Sequence, residues 1–252
     1  MRILVFMSDN RFVLGNDYNS LDYNGFVAAI NYEYCKKHDY DFVYYRPYLQ
    51  NKNEIKLLNC RNPTTRALRH ASWSKLLSTS LALKSKSSYD YVVYIDSDCI
   101  FKDFTQTLED FIMPHTDKDI LFLNNRPWNT NKPCAGFYIC KVNVFSQHFL
   151  RDWYNVNLPE KDTQHAWEQD ALWKIYKHYN VGIIDGWMFR EKKHQFLRHI
   201  GSNEKKNRIP YFTNFIYIHN IPLRRNLEEI HEFHENAFDT QKNGRVTRKK
   251  KL

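Results

Sequence analysis

Two aspartates define the chemistry this chain can do. The stretch Tyr91 to Phe101 reads YVVYIDSDCIF, and its apolar and aromatic run, Tyr91 to Ile95, stops at Asp96 and Asp98 with only Ser97 between them. If extended geometry persists through Ser97, both carboxylates point to the same side. Two hard oxygen donors so placed suit Mg²⁺ or Mn²⁺, with phosphate oxygens and water completing the shell. Lys75 lies near the start of a stretch with helical spacing, where it could reach a diphosphate that the helix dipole also attracts. His219 follows the apolar run Phe215 to Ile218, and a neutral imidazole there would complete a Mn²⁺ site. Each residue also has a plainer reading: a solvated turn, an exposed helix lysine, a structural histidine.

The elements that would position these groups alternate between strand and helix. Arg2 to Met7 reads as a first buried strand, ending at Ser8, Asp9 and Asn10. Phe26, Ala29, Ile30 and Tyr34 give helical spacing within Ser20 to His38, and Tyr40 to Tyr45 reads as a second strand. Asn51 to Pro63 reads as a loop. A helix is expected from about Arg66 to Lys86, with Leu76, Leu77, Leu81 and Leu83 on its buried side and Trp73 and Lys75 in its first turns. After the aspartates come a short helix around Gln106 to Phe111 and a strand at Ile120 to Leu123. Small residues, Ala135 and Gly136, then open another strand within Cys134 to Lys141, where a backbone could approach a ligand closely. Val144 to Tyr154 reads as a helix with Phe145, Phe149, Leu150 and Trp153 inward. Thr163 to Tyr179 reads as a further helix, carrying the polar triplet Glu168, Gln169 and Asp170. Val181 to Ile184 reads as a strand, His194 to Ile209 as irregular, Phe215 to Ile218 as the last strand and 225 to 238 as a last helix. This succession is that of an α/β domain with a largely parallel sheet, in which ligands bind beyond the carboxyl ends of the strands.

The 252 residues include 42% hydrophobic and 26% charged side chains, an ordinary globular composition that can bury a sizeable core. Five cysteines without a C-x-x-C pair argue against a disulfide framework and against a zinc cluster. The opening MRILVFMSD is too quickly polar for a signal peptide, and no later run approaches the roughly 18 apolar residues of a membrane span. A soluble, cytoplasmic protein is therefore expected. Of the net charge of +9, residues 241 to 252 contribute +6, leaving a mildly basic body. The chain is expected to divide into a catalytic domain, 1–238, and a basic, disordered tail, 239–252. Such a tail could touch anionic surfaces; no specific nucleic acid is expected as a partner.

The pieces WSK (Trp73 to Lys75), YIDSD (Tyr94 to Asp98), AGFYICK (Ala135 to Lys141) and EQDAL (Glu168 to Leu172), followed by His219, come in an order that resembles the GT-A glycosyltransferases. In particular the chain resembles the α-galactosyl/α-xylosyltransferase family, kin to the retaining glycogenin-like galactosyltransferases, over residues 1 to about 220. The resemblance implies a GT-A, Rossmann-like single domain with a mixed, mostly parallel sheet flanked by helices. It implies a hexosyl- or pentosyltransferase moving sugar from a UDP-sugar donor to a glycan or glycoconjugate acceptor, such as a glycoprotein, with retention. Asp96, Asp98 and His219 would hold Mn²⁺ (or Mg²⁺), and Ser97 would lie between the ligands. Lys75 would sit near the donor phosphates or sugar with Trp73 beside it. Met7 and Ser8 would contact the base, and Ala135 and Gly136 the donor. Gln169 and Asp170 would line the sugar as the catalytic pair, with Gln169 on the reacting face. Cys134 stands where the family often has asparagine. The chain also lacks the anchor and stem of Golgi members, which fits a free-standing enzyme of the kind bacteria or large viruses carry.

Three other readings compete. A sugar-phosphate nucleotidyltransferase would need a Gly-rich phosphate loop after the first strand, and residues 8 to 17 hold only Gly15. An aspartate-nucleophile phosphatase usually opens its domain with D-x-D and follows it with Thr or Val, where this chain has Ile100. A non-enzymatic polyanion-binding protein accounts for the tail but leaves residues 96, 98 and 219 unexplained.

Overall fold

In chain order the elements are β1 (Ile3–Ser8), α1 (Tyr23–Lys37), β2 (Asp41–Tyr45), α2 (Ser74–Leu83), β3 (Tyr91–Ile95), β4 (Cys99–Phe101), α3 (Leu108–Ile112), β5 (Ile120–Asn125), β6 (Asn129–Lys141), α4 (Val144–Asn155), α5 (Glu168–Ile175), β7 (Val181–Ile184), β8 (Leu197–His199) and α6 (Arg208–Ile218). The structure is a computed structural model that describes residues 1–9, 11, 21–45, 60–85, 88–186, 188–193 and 195–230. Most of the loop expected at 51–63, the end of the expected last helix (helical over 223–230) and the basic tail lie outside the described residues.

The main sheet has the order β2-β1-β3-β6-β5-β7. β1 pairs in parallel with β2 and β3, and β5 with β7, while β6 runs antiparallel to both β3 and β5. Because only β6 is reversed, the other strands all end on one edge. That edge carries Ser8 and Asp9, the 96–98 turn, Asn124 and Asn125, and Asp185. β4 and β8 form a separate antiparallel pair next to it.

The unbroken apolar runs follow from burial on both faces. In β1, Ile3, Val5 and Met7 enter one hydrophobic cluster with α1 and α6, whereas Leu4 and Phe6 enter a second with α2, α4 and α5. β3 divides in the same way, Tyr91, Val93 and Ile95 against Val92 and Tyr94. Alternate residues therefore serve two cores, and neither face can be polar. Each such side chain contributes about 1.5–3 kcal/mol by leaving water.

Several boundaries differ from the expectation, each for a local reason. α2 starts at Ser74, not near Arg66, because Arg66 takes a left-handed backbone (φ 62°) and His70 caps a 3₁₀ turn at Ala71–Trp73. Leu81 is 38% exposed, and Ser78 and Thr79 take buried places on that helix instead. On α4, Phe145 faces solvent, while Phe149, Leu150 and Trp153 are buried. α5 begins only at Glu168, since Trp167 also has a left-handed φ of 50°. The expected strand Phe215 to Ile218 is the last turn of α6. Arg208, Phe212 and Phe215 are its buried side at helical spacing, and Tyr217 and Ile218 are exposed. Among the described residues no helix is long and apolar enough to cross a membrane.

Candidate active site

β3 delivers the aspartates to the sheet edge. Its fully buried run ends at Ile95, and the Asp96 N–H donates to the Gly136 carbonyl (2.9 Å), closing the turn against β6. Asp96 accepts from the Tyr94 hydroxyl (2.5 Å) and pairs with Lys75 Nζ (2.9 Å). Lys75 is only 4% exposed. Its ammonium also meets Glu168 Oε1 at 2.8 Å and the Ala135 carbonyl at 3.2 Å. Burial alone would lower its pKa, yet the charges of Asp96 and Glu168 outweigh this and raise it. The lysine is therefore a buried cation clamped between two carboxylates, not an exposed helix lysine.

Asp98 is held from two other elements. His199 Nε2, from β8, donates to its Oδ1 at 2.8 Å, and Arg208, from the start of α6, donates to Oδ2. Burial pushes the Asp98 pKa up, but the cationic neighbours win and hold it below the usual carboxylate value. The reciprocal effect moves His199: burial would lower its pKa, and the Asp98 carboxylate raises it. The Phe189 ring covers the imidazole, with centroids 4.6 Å apart.

Asp96, Asp98 and His199 bring one donor atom each to within 4.8 Å of one another. Two observations fit this set to a divalent cation. His199 Nδ1 is buried without a hydrogen-bond partner among the described residues. A Cβ on Gly136 would stand 3.0 Å from His199 Cε1 and 3.1 Å from Asp96 Oδ2, so only glycine leaves the space between the donors open. Two carboxylates and one imidazole are donors that Mn²⁺ accepts readily.

A cleft of ≈450 Å³ opens in front of this cluster, over the ends of β1 and β3. Ser8, Lys75, Asp96, Ser97 and Asp98 line it, together with Glu168 of the polar triplet and with residues the sequence did not assign to the site: Asp9, Arg11, His70 and Trp167. Arg11 pairs with Asp9 (2.5 Å) and donates to Ser97 Oγ (3.2 Å), bridging the first and third strand ends. His70 stacks flat on Trp167, 4.0 Å apart and 5° from parallel. Its Nδ1 accepts from the Ser72 N–H (3.2 Å), and burial lowers its pKa, so the neutral ring carries its proton on Nε2. Glu168 is 4% exposed, and its Oε2 is buried without a hydrogen-bond partner among the described residues.

Other residues singled out by sequence lie elsewhere. Met7 is fully buried in the α1-side core, where Asn31 contacts its sulfur (3.6 Å), so its side chain does not reach the cleft. Trp73 is fully buried, with its indole N–H on the Lys161 carbonyl. Gln169 Oε1 accepts from the Ala135 N–H (3.0 Å), so it orients the Ala135–Gly136 backbone. Asp170 pairs with Lys161 (2.9 Å) and is absent from the cleft lining. His219 caps the end of α6, stacked on Phe215 (4.1 Å), beside a second cavity of ≈610 Å³. The imidazole beside the aspartates is His199, not His219. His199 escaped notice because β8 spans only three residues within a polar segment; its one signal is the apolar flank Phe196, Leu197 and Ile200.

The mixed sheet, the acidic turn after its third strand and the cleft at the carboxyl edge make the fold that of the GT-A glycosyltransferases. A solved glycosyltransferase involved in glycosylation of the major capsid of PBCV-1 is similar over 84% of this chain and 99% of its own, with TM-score 0.61 and 12% identity. The glycosyltransferase GlyE of Streptococcus pneumoniae TIGR4 is similar over 92% of this chain and 63% of its own, with TM-score 0.53 and 11% identity, so this chain spans less than two thirds of it. No family model and no curated protein matches the sequence.

Proposed function

We propose that this protein is a metal-dependent glycosyltransferase that moves a hexose or pentose from a UDP-sugar to a glycan or glycoconjugate, with retention. The observation that carries the reading is the convergence of Asp96, Asp98 and His199, with both aspartates lining a polar cleft on the carboxyl edge of a GT-A sheet. Asp96, Asp98 and His199 would hold Mn²⁺ or Mg²⁺, which would supply positive charge to stabilise a departing diphosphate. The neutral His70 offers its Nε2–H donor to a phosphate or sugar oxygen. Arg11 and Asp9 shape the end of the cleft at β1, where a base would lie.

Retention by same-face attack passes through an oxocarbenium-like state, and a carboxylate beside the anomeric carbon would stabilise its positive charge. Glu168 is better placed for this than Gln169 or Asp170, since its carboxylate lines the cleft and keeps one buried oxygen uncommitted. Lys75 orients it, and Gln169 holds the strand that carries Gly136.

The test is calorimetric titration of UDP with and without Mn²⁺ into wild type, His199→Ala, His219→Ala and Glu168→Gln, followed by donor hydrolysis. UDP binding should require Mn²⁺, survive in His219→Ala and Glu168→Gln, and fall at least tenfold in His199→Ala. Glu168→Gln should then lower kcat by a hundredfold or more with little change in donor KM. Metal-independent UDP binding, or none at all, sinks the metal-site reading. Full activity in Glu168→Gln removes that residue from the chemistry.

A further inference from the structure

The sheet edge has two halves, and the cleft uses only one. On the other side of His199, over the ends of β5 and β7, a second surface is built from aromatic rings. Trp128, in the turn between β5 and β6, is 60% exposed although it is among the largest apolar side chains of the chain. Its ring meets Phe189 edge-on, with centroids 4.6 Å apart at 67°. Phe189 in turn lies over His199 at 4.6 Å. The three rings form a continuous path from the candidate metal donors to solvent.

Polar groups stand on the same edge beside this path. Arg126, two residues before Trp128, pairs with Asp185 (2.9 Å), and Asn124 Nδ2 donates to the same carboxylate (2.5 Å). The Asp185 side chain remains 64% exposed and can accept further hydrogen bonds. An open indole face beside a carboxylate matches one ligand chemistry closely. A pyranose presents an apolar C–H face, whose slightly positive hydrogens suit the negative face of an aromatic ring, and a rim of hydroxyls that donate to carboxylates. Isolated apolar residues on a surface need no explanation, but a Trp coupled through rings to a catalytic cluster does.

We infer that Trp128 and Phe189 form the subsite for the acceptor, and that the acceptor is a glycan whose terminal pyranose stacks on Trp128 with Asp185 binding its hydroxyls. This rests on the glycosyltransferase reading above and adds the acceptor's chemical class and place. With the donor over β1 and β3 and the acceptor over β5 and β7, the two would meet near Gly136 and His199, on the strand between the two halves and the ring beside it.

The test separates this inference from the reading it rests on. Saturation-transfer NMR is run on the whole chain with methyl β-D-galactopyranoside, methyl β-D-glucopyranoside, methyl β-D-xylopyranoside and lactose, for wild type, Trp128→Ala and Asp185→Asn. At least one glycoside should show transfer to the C–H face of its ring in wild type. That signal should fall tenfold or more in Trp128→Ala and weaken in Asp185→Asn, while the melting temperature and Mn²⁺–UDP affinity stay at wild-type values. Unchanged glycoside binding in Trp128→Ala, or no transfer to any of the four, overturns the subsite even if UDP binds with metal. A wild-type dimer that Trp128→Ala converts to monomer overturns it too, since the patch would then be a self-interface. Conversely, Trp128-dependent glycoside binding without UDP binding would keep the sugar subsite and reject the donor site.

Discussion

Gly136→Ala tests whether the three candidate metal donors act as one site. The added methyl would lie 3.0 Å from His199 Cε1, 3.1 Å from His199 Nδ1 and 3.1 Å from Asp96 Oδ2. Carbon–carbon contacts are most favourable at about 3.5–4.0 Å, so roughly 0.5 Å must be found. Neither neighbour gives easily. His199 is held by Asp98 at Nε2 and by Phe189 over its ring, and its backbone N–H is bonded to the Met188 carbonyl at 2.7 Å. Asp96 is held by Lys75 and Tyr94. Overpacking of this kind costs about 1–3 kcal/mol. If the cost falls on the arrangement that binds metal, affinity drops about 5- to 150-fold, at 1.4 kcal/mol per factor of ten. The assay is Mn²⁺ titration followed by electron paramagnetic resonance of the free ion, with a thermal melt of the same sample. Melting should fall by about 2–12 °C, because each 1 kcal/mol moves a domain of this size by about 2–4 °C. Wild-type Mn²⁺ affinity in a folded Gly136→Ala protein would refute the idea that Asp96 and His199 share a cation.

Two further outcomes concern the framework behind the cleft. Arg69 and Asp162 form a pair at 2.8 Å that is almost wholly buried, and the Asp162 carbonyl accepts from the His70 N–H that leads into the cleft wall. Arg69→Met should cost about 3–5 kcal/mol in urea unfolding by stranding a buried carboxylate, whereas the double change Arg69→Met/Asp162→Leu should recover most of it; equal losses would refute the pairing argument. Asp9 is held below the usual carboxylate value because Arg11 and Ser97, by charge and hydrogen bonds, overcome the upward push of burial. A depressed folded pKa gives stability that is present above the unfolded value, near 3.8, and lost as pH falls through the folded one. Asp9→Asn should therefore lower the urea midpoint at pH 7, and the gap to wild type should begin to close as pH falls below about 3.8; a gap that does not shrink on acidification below that point would refute the linkage.

The sequence alone located the apolar cores of the six main-sheet strands and the acidic turn that ends the third. Runs such as Ile3 to Met7 and Tyr91 to Ile95 are legible because burial on both faces forbids polar residues over a whole strand, a signal that needs no knowledge of partners. Asp96 and Asp98 are legible for the same reason, as the first charges after such a run. The tertiary structure decided what joins them. Four consecutive apolar residues, Phe215 to Ile218, look alike in a strand and in the last turn of a helix, and only the packing of Arg208, Phe212 and Phe215 against the core selects the helix. That packing turns His219 away, and the pairing of β4 with β8 brings His199 in its place. Within the EQD triplet, neighbouring residues fan around a helix, and the sequence does not say which one faces the cleft. The left-handed Trp167 starts α5 so that Glu168 turns toward Lys75 and Asp170 toward Lys161. Local burial patterns are written residue by residue, but a site assembled from β3, α2, α5, β6 and β8 depends on long-range contacts that no local pattern encodes.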